Sequence, residues 1–161
     1  MSRNSVRTEM ILGMQAQELP NLMVDEKYGG AAQIMALPAA KLIAILQDPG
    51  ASVYARAKAC QRLAVVGGAG AVAALAPLLA DAQLSSYARF ALEPIPDRAA
   101  DDALRATLGK VKGVQLVGVI NSIGHRRDTR AIAALEHLRH DPDGEVARAA
   151  DAALARIRPA L

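Results

Sequence analysis

Three arginines stand at nearly equal distances behind three aspartates: Arg56 follows Asp48 and Arg89 follows Asp81 by eight residues, and Arg148 follows Asp141 by seven. A guanidinium is a planar fork of N–H donors that suits a carboxylate or a group of turn carbonyls. The interval predicts a structural ladder between stacked units, with ligand gripping as the sharper use of the same groups. The remaining chemistry-bearing residues predict less. His137 and His140, three apart on one helix, would hold a metal only if carboxylates from elsewhere joined them. With Glu136 and Asp141 beside them, an exposed helix end accounts for all four residues, and His125 stands apart. Cys60 is the single cysteine and lies inside a helical pattern, which predicts a small buried hydrophobe and excludes an internal disulfide. No nucleophile elbow, Ser/His/Asp grouping or pair of acids in apolar surroundings stands out. The run Gly109-Lys110-Val111-Lys112-Gly113 lacks the spacing of a phosphate loop and no strand precedes it. The expectation is a non-enzymatic protein with neither cofactor nor metal.

Charge is the second lead. The chain carries 19 Lys and Arg against 16 Asp and Glu, a formal net charge of +3. Arg105, Lys110, Lys112, Arg126, Arg127 and Arg130 fall in one window with Asp128 as the only acid. Lys110 and Lys112 are expected to open a helix that Arg126 and Arg127 follow. A helix of about 14 residues is roughly 20 Å long, so the two groups cannot share a pocket. A stripe along a phosphate backbone or an acidic protein surface is the functional reading; a solvated basic face is the bland one.

The elements that would position these residues are helices. Of 161 residues, 52% are hydrophobic, mostly Ala, Leu and Val. The aromatics are only Phe90, Tyr28, Tyr54 and Tyr87, and tryptophan is absent. That composition favours closely spaced helices over sheets, and the length suits one compact domain. The longest apolar runs, such as residues 69–80, are shorter than the roughly 18–20 residues of a membrane span, and residues 1–19 lack a signal-peptide core. A cytoplasmic protein with no membrane partner is expected.

An internal repeat organises the chain. Asp48-Pro49-Gly50-Ala51-Ser52-Val53-Tyr54-Ala55-Arg56 aligns with Asp81-Ala82-Gln83-Leu84-Ser85-Ser86-Tyr87-Ala88-Arg89 at a shift of 33, and Asp141-Pro142-Asp143-Gly144-Glu145-Val146-Ala147-Arg148 follows the same logic. Gly68, Asp97 and Asp128 mark a second landmark about every 30 residues. Each unit therefore reads as helix, turn, helix, turn, with Asp48-Pro49 and Asp141-Pro142 as helix starts. Helices are predicted near residues 5–15, 38–47, 51–66, 69–80, 84–92, 98–108, 111–124, 129–140 and 143–157. Residues 1–37 do not repeat; Val6, Met10 and Met14 at helical spacing predict a cap or a Met-rich binding or dimerisation helix, and Tyr28-Gly29-Gly30 reads as loop.

Ile123-Gly124, Arg127-Asp128-Thr129-Arg130-Ala131-Ile132-Ala133-Ala134-Leu135, Asp141-Pro142-Asp143 and Val146-Ala147-Arg148-Ala149-Ala150 resemble HEAT repeats, nearest the short bacterial type first described in phycobilisome lyases. The resemblance covers about residues 38–158 and is weakest in the middle. It implies an all-α, right-handed α-solenoid of about four helical hairpins in a domain of residues 38–161, behind an N-terminal cap segment of residues 1–37. In that fold second helices line the inner face, and scaffolds are commoner than enzymes. A protein or peptide partner is then expected along Tyr54, Arg56, Tyr87, Arg89, Glu93, Asn121 and Arg148. Nucleic-acid binding through the basic stripe is the first alternative, weakened by the scarcity of base-stacking aromatics. Kinship to a chromophore lyase is the second. The chain closes on Ile157-Arg158-Pro159-Ala160-Leu161 without an evident polar cap, which leaves a homodimer or a continuing array open.

The middle unit departs from its neighbours in Ala88-Arg89-Phe90-Ala91-Leu92-Glu93-Pro94-Ile95-Pro96-Asp97. Proline inside a helix costs roughly 3 kcal/mol and pushes the preceding residue out of helical angles. The second helix of this unit should end at Glu93, about a turn short, with Pro94 and Pro96 in an extended turn and Glu93 facing a notch.

Overall fold

The computed structural model describes residues 24–158. Among them the only strands are Val24–Asp25 (β1) and Gly29–Gly30 (β2), an antiparallel pair with Val24 opposite Gly30. All other regular structure is helical: α1 Ala31–Met35, α2 Ala39–Gln47, α3 Val53–Val66, α4 Val72–Leu75, α5 Ser85–Leu92, α6 Arg98–Thr107, α7 Gly113–Arg126, α8 Ile132–Leu138 and α9 Gly144–Ile157, with short 3₁₀ turns around α4 and before α8. The protein is mostly helical, as composition and periodicity predict. No helix among the described residues is long and apolar enough to cross a membrane. The helix expected at residues 5–15 lies outside the described residues.

Local chemistry sets the boundaries. Ser52 Oγ accepts the Ala55 N–H at 3.1 Å, and carboxylates of Asp97, Asp128 and Asp143 accept the N–H groups of Ala99, Arg130 and Glu145 at 2.8, 3.1 and 2.9 Å. Each satisfies one donor left orphaned in a first turn. Asp48 and Asp141, expected as helix starts, lie further upstream. Their carboxylates instead accept the N–H two residues on, from Gly50 at 2.9 Å and Asp143 at 2.8 Å. The proline after each aspartate begins the turn, and the helix opens only once that turn is complete.

Residues 69–80 form no single helix. A 3₁₀ turn at Ala69–Ala71 leads into α4, and a second at Ala76–Ala80 follows it. Pro77 has no N–H to give to the i−4 carbonyl and its ring crowds that group, so the chain tightens there. Residues 24–37, read as loop and cap, build the hairpin and α1. Gly29 turns the hairpin at φ +77°. Ile34 is fully buried, and α1 packs on α3.

Helix packing runs along the chain: α2 against α3, α3 against α5, α5 against α7, α7 against α9, with α6 on α7 and α8 on α9. The fully buried Leu42, Ile45, Leu63, Leu75, Leu79, Leu92, Ile95, Leu104, Ile120 and Ile123 form one continuous core. At about 1.5–3 kcal/mol for each such side chain, this burial outweighs the surface ion pairs, each worth about 0–1 kcal/mol. Small residues bring α7 and α9 close: a Cβ on Gly124 would sit 2.8 Å from Ala153 Cα.

The break falls where the prolines predict, but Glu93 is not pushed out of helical angles as expected: it keeps φ −54° and ψ −45°, with its N–H still on the Arg89 carbonyl. α5 has eight residues where α3, α7 and α9 each have 14. The chain leaves the helix after Glu93, turns through Pro94–Pro96 and restarts at Asp97, the N-cap of α6.

Candidate functional site

The shortened α5 leaves a groove at the C-terminal ends of three packed helices. Ala64 and Val65 of α3, Phe90 of α5, Glu93 and Pro94 of the turn, and His125 of α7 line it, around a volume of about 290 Å³. Val65 is 73% exposed and Phe90 57% exposed. Phe90 is the sole phenylalanine of the chain, and in α5 it lies off the buried stripe of Ser85, Ala88, Ala91 and Leu92. More than half of its surface lies outside the core, as an apolar face open to solvent.

A polar network backs the groove. Ser122 donates its hydroxyl to Glu93 Oε1 at 2.7 Å, and Arg89 Nη1 donates to the Gly118 carbonyl at 3.2 Å and to Ser122 Oγ at 3.5 Å. Gly118 makes this approach possible, because a Cβ there would stand 2.5 Å from Arg89 Cζ. Burial pulls the Arg89 pKa below its usual value, while the charge of Glu93 opposes that shift. Arg89 Nε is buried and has no partner. The carboxylate thus enters the groove with one oxygen already held in place.

The turn itself hangs on Arg126. Its Nη1 donates to the carbonyls of Leu92, Glu93 and Ile95 at 3.0, 2.8 and 2.7 Å, its Nη2 to Asp97 O at 3.1 Å, and its Nε to Asp101. A Pro-rich turn leaves carbonyls without helical partners, and one guanidinium fork satisfies several together.

The structure divides the sites expected from sequence. Arg56 donates Nη2 to the Asp48 carbonyl at 2.7 Å, within its own unit, so it ties its own turn rather than stacked units; Arg89 alone reaches the next unit, through the Gly118 carbonyl. Arg148 makes no such rung; it pairs with Glu145 on the exposed side of α9. No helix packs beyond α9 among the described residues. Tyr54 and Tyr87 lie partly buried against the core, with Lys58 Nζ 5.7 Å from the Tyr54 ring centroid. Asn121 is exposed. Of this expected set only Arg89 and Glu93 meet. Val65, Phe90, Ser122 and His125 were missed as a group, although the position of Phe90 off the apolar stripe was legible.

The basic stripe is not continuous. Arg126 is the last residue of α7 rather than part of the turn, and its charge is spent on Asp101. Arg105 pairs with Asp102 and Asp128, and Arg130 reaches Asp102 at 2.7 Å. Asp101 and Asp102 lie just upstream of the charge window but fold onto it. Lys112 and Lys110 stand at the opposite end of α7, and Arg127 alone of the window's arginines has no ion-pair partner among the described residues.

Other features carry structure. A cavity of about 470 Å³ beside the hairpin is lined by Val24, Asp25, Glu26, Lys27, Gly50 and Ser52. Of its two acids, Asp25 is committed: it accepts the N–H groups of Lys27, Tyr28 and Ser52 at 2.8–2.9 Å. Nearby, Lys27 Nζ and Tyr28 Oη donate to Asp48 at 2.8 and 2.6 Å. Burial pushes the Cys60 thiol up to about 12, which suits an inert core residue. Among the described residues no group of three or more His, Cys, Asp or Glu is placed to hold a metal ion. No protein-family model matches the chain, and no curated protein matches its sequence.

Proposed function

We propose that this protein is a non-enzymatic binding module, a right-handed α-solenoid of HEAT-like repeats that takes a peptide segment of a partner protein along its second helices. The observation that carries the reading is the groove at the break in α5: Val65, Phe90 and Pro94 expose apolar surface around a carboxylate already oriented by Ser122. Apolar anchors seat in grooves of this kind, and the fixed acceptor on Glu93 orders the donor groups beside them. Consecutive packing of α3, α5, α7 and α9 supports the repeat architecture, as do the recurring caps before α6 and α8.

The test is a peptide library selected on the wild-type protein and measured by fluorescence anisotropy against Phe90→Ala and Val65→Ser. Selected peptides should lose at least about tenfold in affinity on Phe90→Ala, equal to about 1.4 kcal/mol. Equal affinities for wild type and variant would refute the site. A concentration-dependent doubling of mass abolished by Phe90→Ala would refute the foreign-peptide reading by making a second copy the occupant.

Nucleic-acid binding is disfavoured because Arg105 and Arg126 already hold acids while Lys110 and Lys112 stand apart at the other end of α7. Kinship to a chromophore lyase gains no support from Cys60, whose side chain is fully buried.

A further inference from the structure

Across the proline turn from the groove lies a second cleft of about 230 Å³, lined by Arg98, Asp101, Arg126, Arg127, Asp128, Thr129 and Arg130. Four cations and two acids surround it, but the acids are already occupied. Asp101 belongs to Arg126, and Asp128 to Arg105, which is not part of the lining, and to the Arg130 N–H it caps. Arg130 holds Asp102 in a pair about half exposed on both sides, and its Nε lies at the outer limit of pairing, 4.0 Å, from Asp128. Pairs that open to water contribute about 0–1 kcal/mol and exchange readily for a better anion. Arg98 and Arg127 form no ion pair or side-chain hydrogen bond with any described residue. The cleft therefore carries cationic donors in excess of its own needs, with the Thr129 hydroxyl at its edge.

The backbone of Arg127 supplies an independent observation. It is the single non-glycine residue with positive φ among the described residues, at φ 54° and ψ 41°. It closes α7 in the left-handed position where glycine usually stands, with its N–H on the Gly124 carbonyl at 3.2 Å. A side chain bears a conformational cost there that glycine would avoid. The closure needs no guanidinium, yet one is held at the cleft.

We propose that Arg98, Arg127 and Arg130 form a binding site for a single phosphate monoester carried on a peptide chain. Two or three guanidinium forks match the tetrahedral oxygens of a dianionic phosphate, and a serine or threonine hydroxyl alone would leave them unmatched. A nucleic-acid backbone is a poorer ligand, because its successive phosphates would find no further free cations: Arg105 and Arg126 hold acids, and Lys110 and Lys112 stand at the far end of α7. That the phosphate arrives on a peptide rests on the peptide-binding reading above; the anion site itself stands without it.

The test uses the full chain. Inorganic phosphate and a phosphoserine peptide are titrated against sulfate and the unphosphorylated peptide, with amide and arginine Nε resonances followed by NMR. Saturable shifts at Arg98 and Arg127–Arg130 are expected, with the phosphopeptide binding at least about tenfold tighter than its serine form. Arg127→Gly should lose that discrimination while melting at the same or a higher temperature, a combination that a merely structural arginine would not give. Arg98→Gln should weaken phosphate binding as well. Phe90→Ala should leave inorganic phosphate binding unchanged, so failure of the groove and failure of the cleft are read separately. The proposal is overturned by shifts that do not saturate, by Arg127→Gly binding phosphate like wild type, or by RNA or DNA binding more tightly than the phosphopeptide and depending on Lys110 and Lys112.

Discussion

Replacing Arg126 by methionine keeps an unbranched apolar stem and deletes the fork that holds the Leu92–Asp97 turn. Not every acceptor loses its only partner. The carbonyls of Leu92, Ile95 and Asp97 retain N–H groups from Ile95, Asp97 and Ala100 at 3.2, 2.8 and 3.1 Å. Within the described hydrogen bonds, the Glu93 carbonyl and the Asp101 carboxylate keep none. Stripping a buried charge of its partner costs about 3–5 kcal/mol and an unmet buried carbonyl about 1–3 kcal/mol. The Asp101 side chain is 17% exposed, so water enters and relieves part of its cost. The expected loss is about 3 kcal/mol, read as a lowered urea midpoint at unchanged slope. Adding Asp101→Asn should restore about 1–2 kcal/mol, since the orphaned charge is then gone. Arg126→Lys should rescue little, because one ammonium cannot span four carbonyls and a carboxylate. A loss for Arg126→Met below about 1 kcal/mol, the range of exposed pairs, would refute the reasoning, as would a double variant without recovery.

Gly124→Ala should destabilise the protein by about 1–2 kcal/mol in urea unfolding, because the new Cβ would meet Ala153 Cα at 2.8 Å and overpacking outweighs the gain in helix propensity; stabilisation would show that α7 and α9 separate freely. Asp48 is held well below the usual carboxylate range by the hydrogen bond from Lys27, then that from Tyr28, then the Gly50 N–H. The folded carboxylate holds its proton less tightly than the unfolded one, so its contribution is complete above the unfolded pKa of about 4 and fades as pH falls toward the folded value. The urea midpoint of the wild type should fall with acid below about pH 4, and Asp48→Asn should flatten part of that slope; identical slopes would refute the linkage. Asp25 should keep a residual slope in the variant, since its bonds from Ser52, Tyr28 and Lys27 outweigh the opposing effect of burial.

Much of the helical framework was legible because it depends on local periodicity. The buried positions Leu42, Ile45 and Leu46, and Leu75, Leu78 and Leu79, fall where spacings of three and four place them. Elements that rely on turn geometry were harder to read. The hairpin at residues 24–30 has strands of two residues each, too short for an alternating pattern, and it is tied down by Asp25 reaching Ser52 across 27 residues. The breakup of residues 69–80 was foreshadowed by Pro77, but the apolar run concealed it.

The candidate site shows the same division. The break at Pro94 and Pro96 is a backbone constraint and could be placed from sequence alone, as could the early restart at Asp97. What surrounds the break was settled by packing. Arg126 stands 33 residues from the Glu93 carbonyl it holds, Ser122 stands 29 from the Glu93 carboxylate, and Val65 comes from a different unit altogether. Asp101 and Asp102 neutralise arginines that look unbalanced along the chain, because charges pair by distance in space. Local sequence therefore determined the helical class, the repeat and the interruption of α5, through propensity, capping and the missing N–H of proline. Tertiary structure alone decided which arginines are spent on the fold and which, among the described residues, keep no acid of their own.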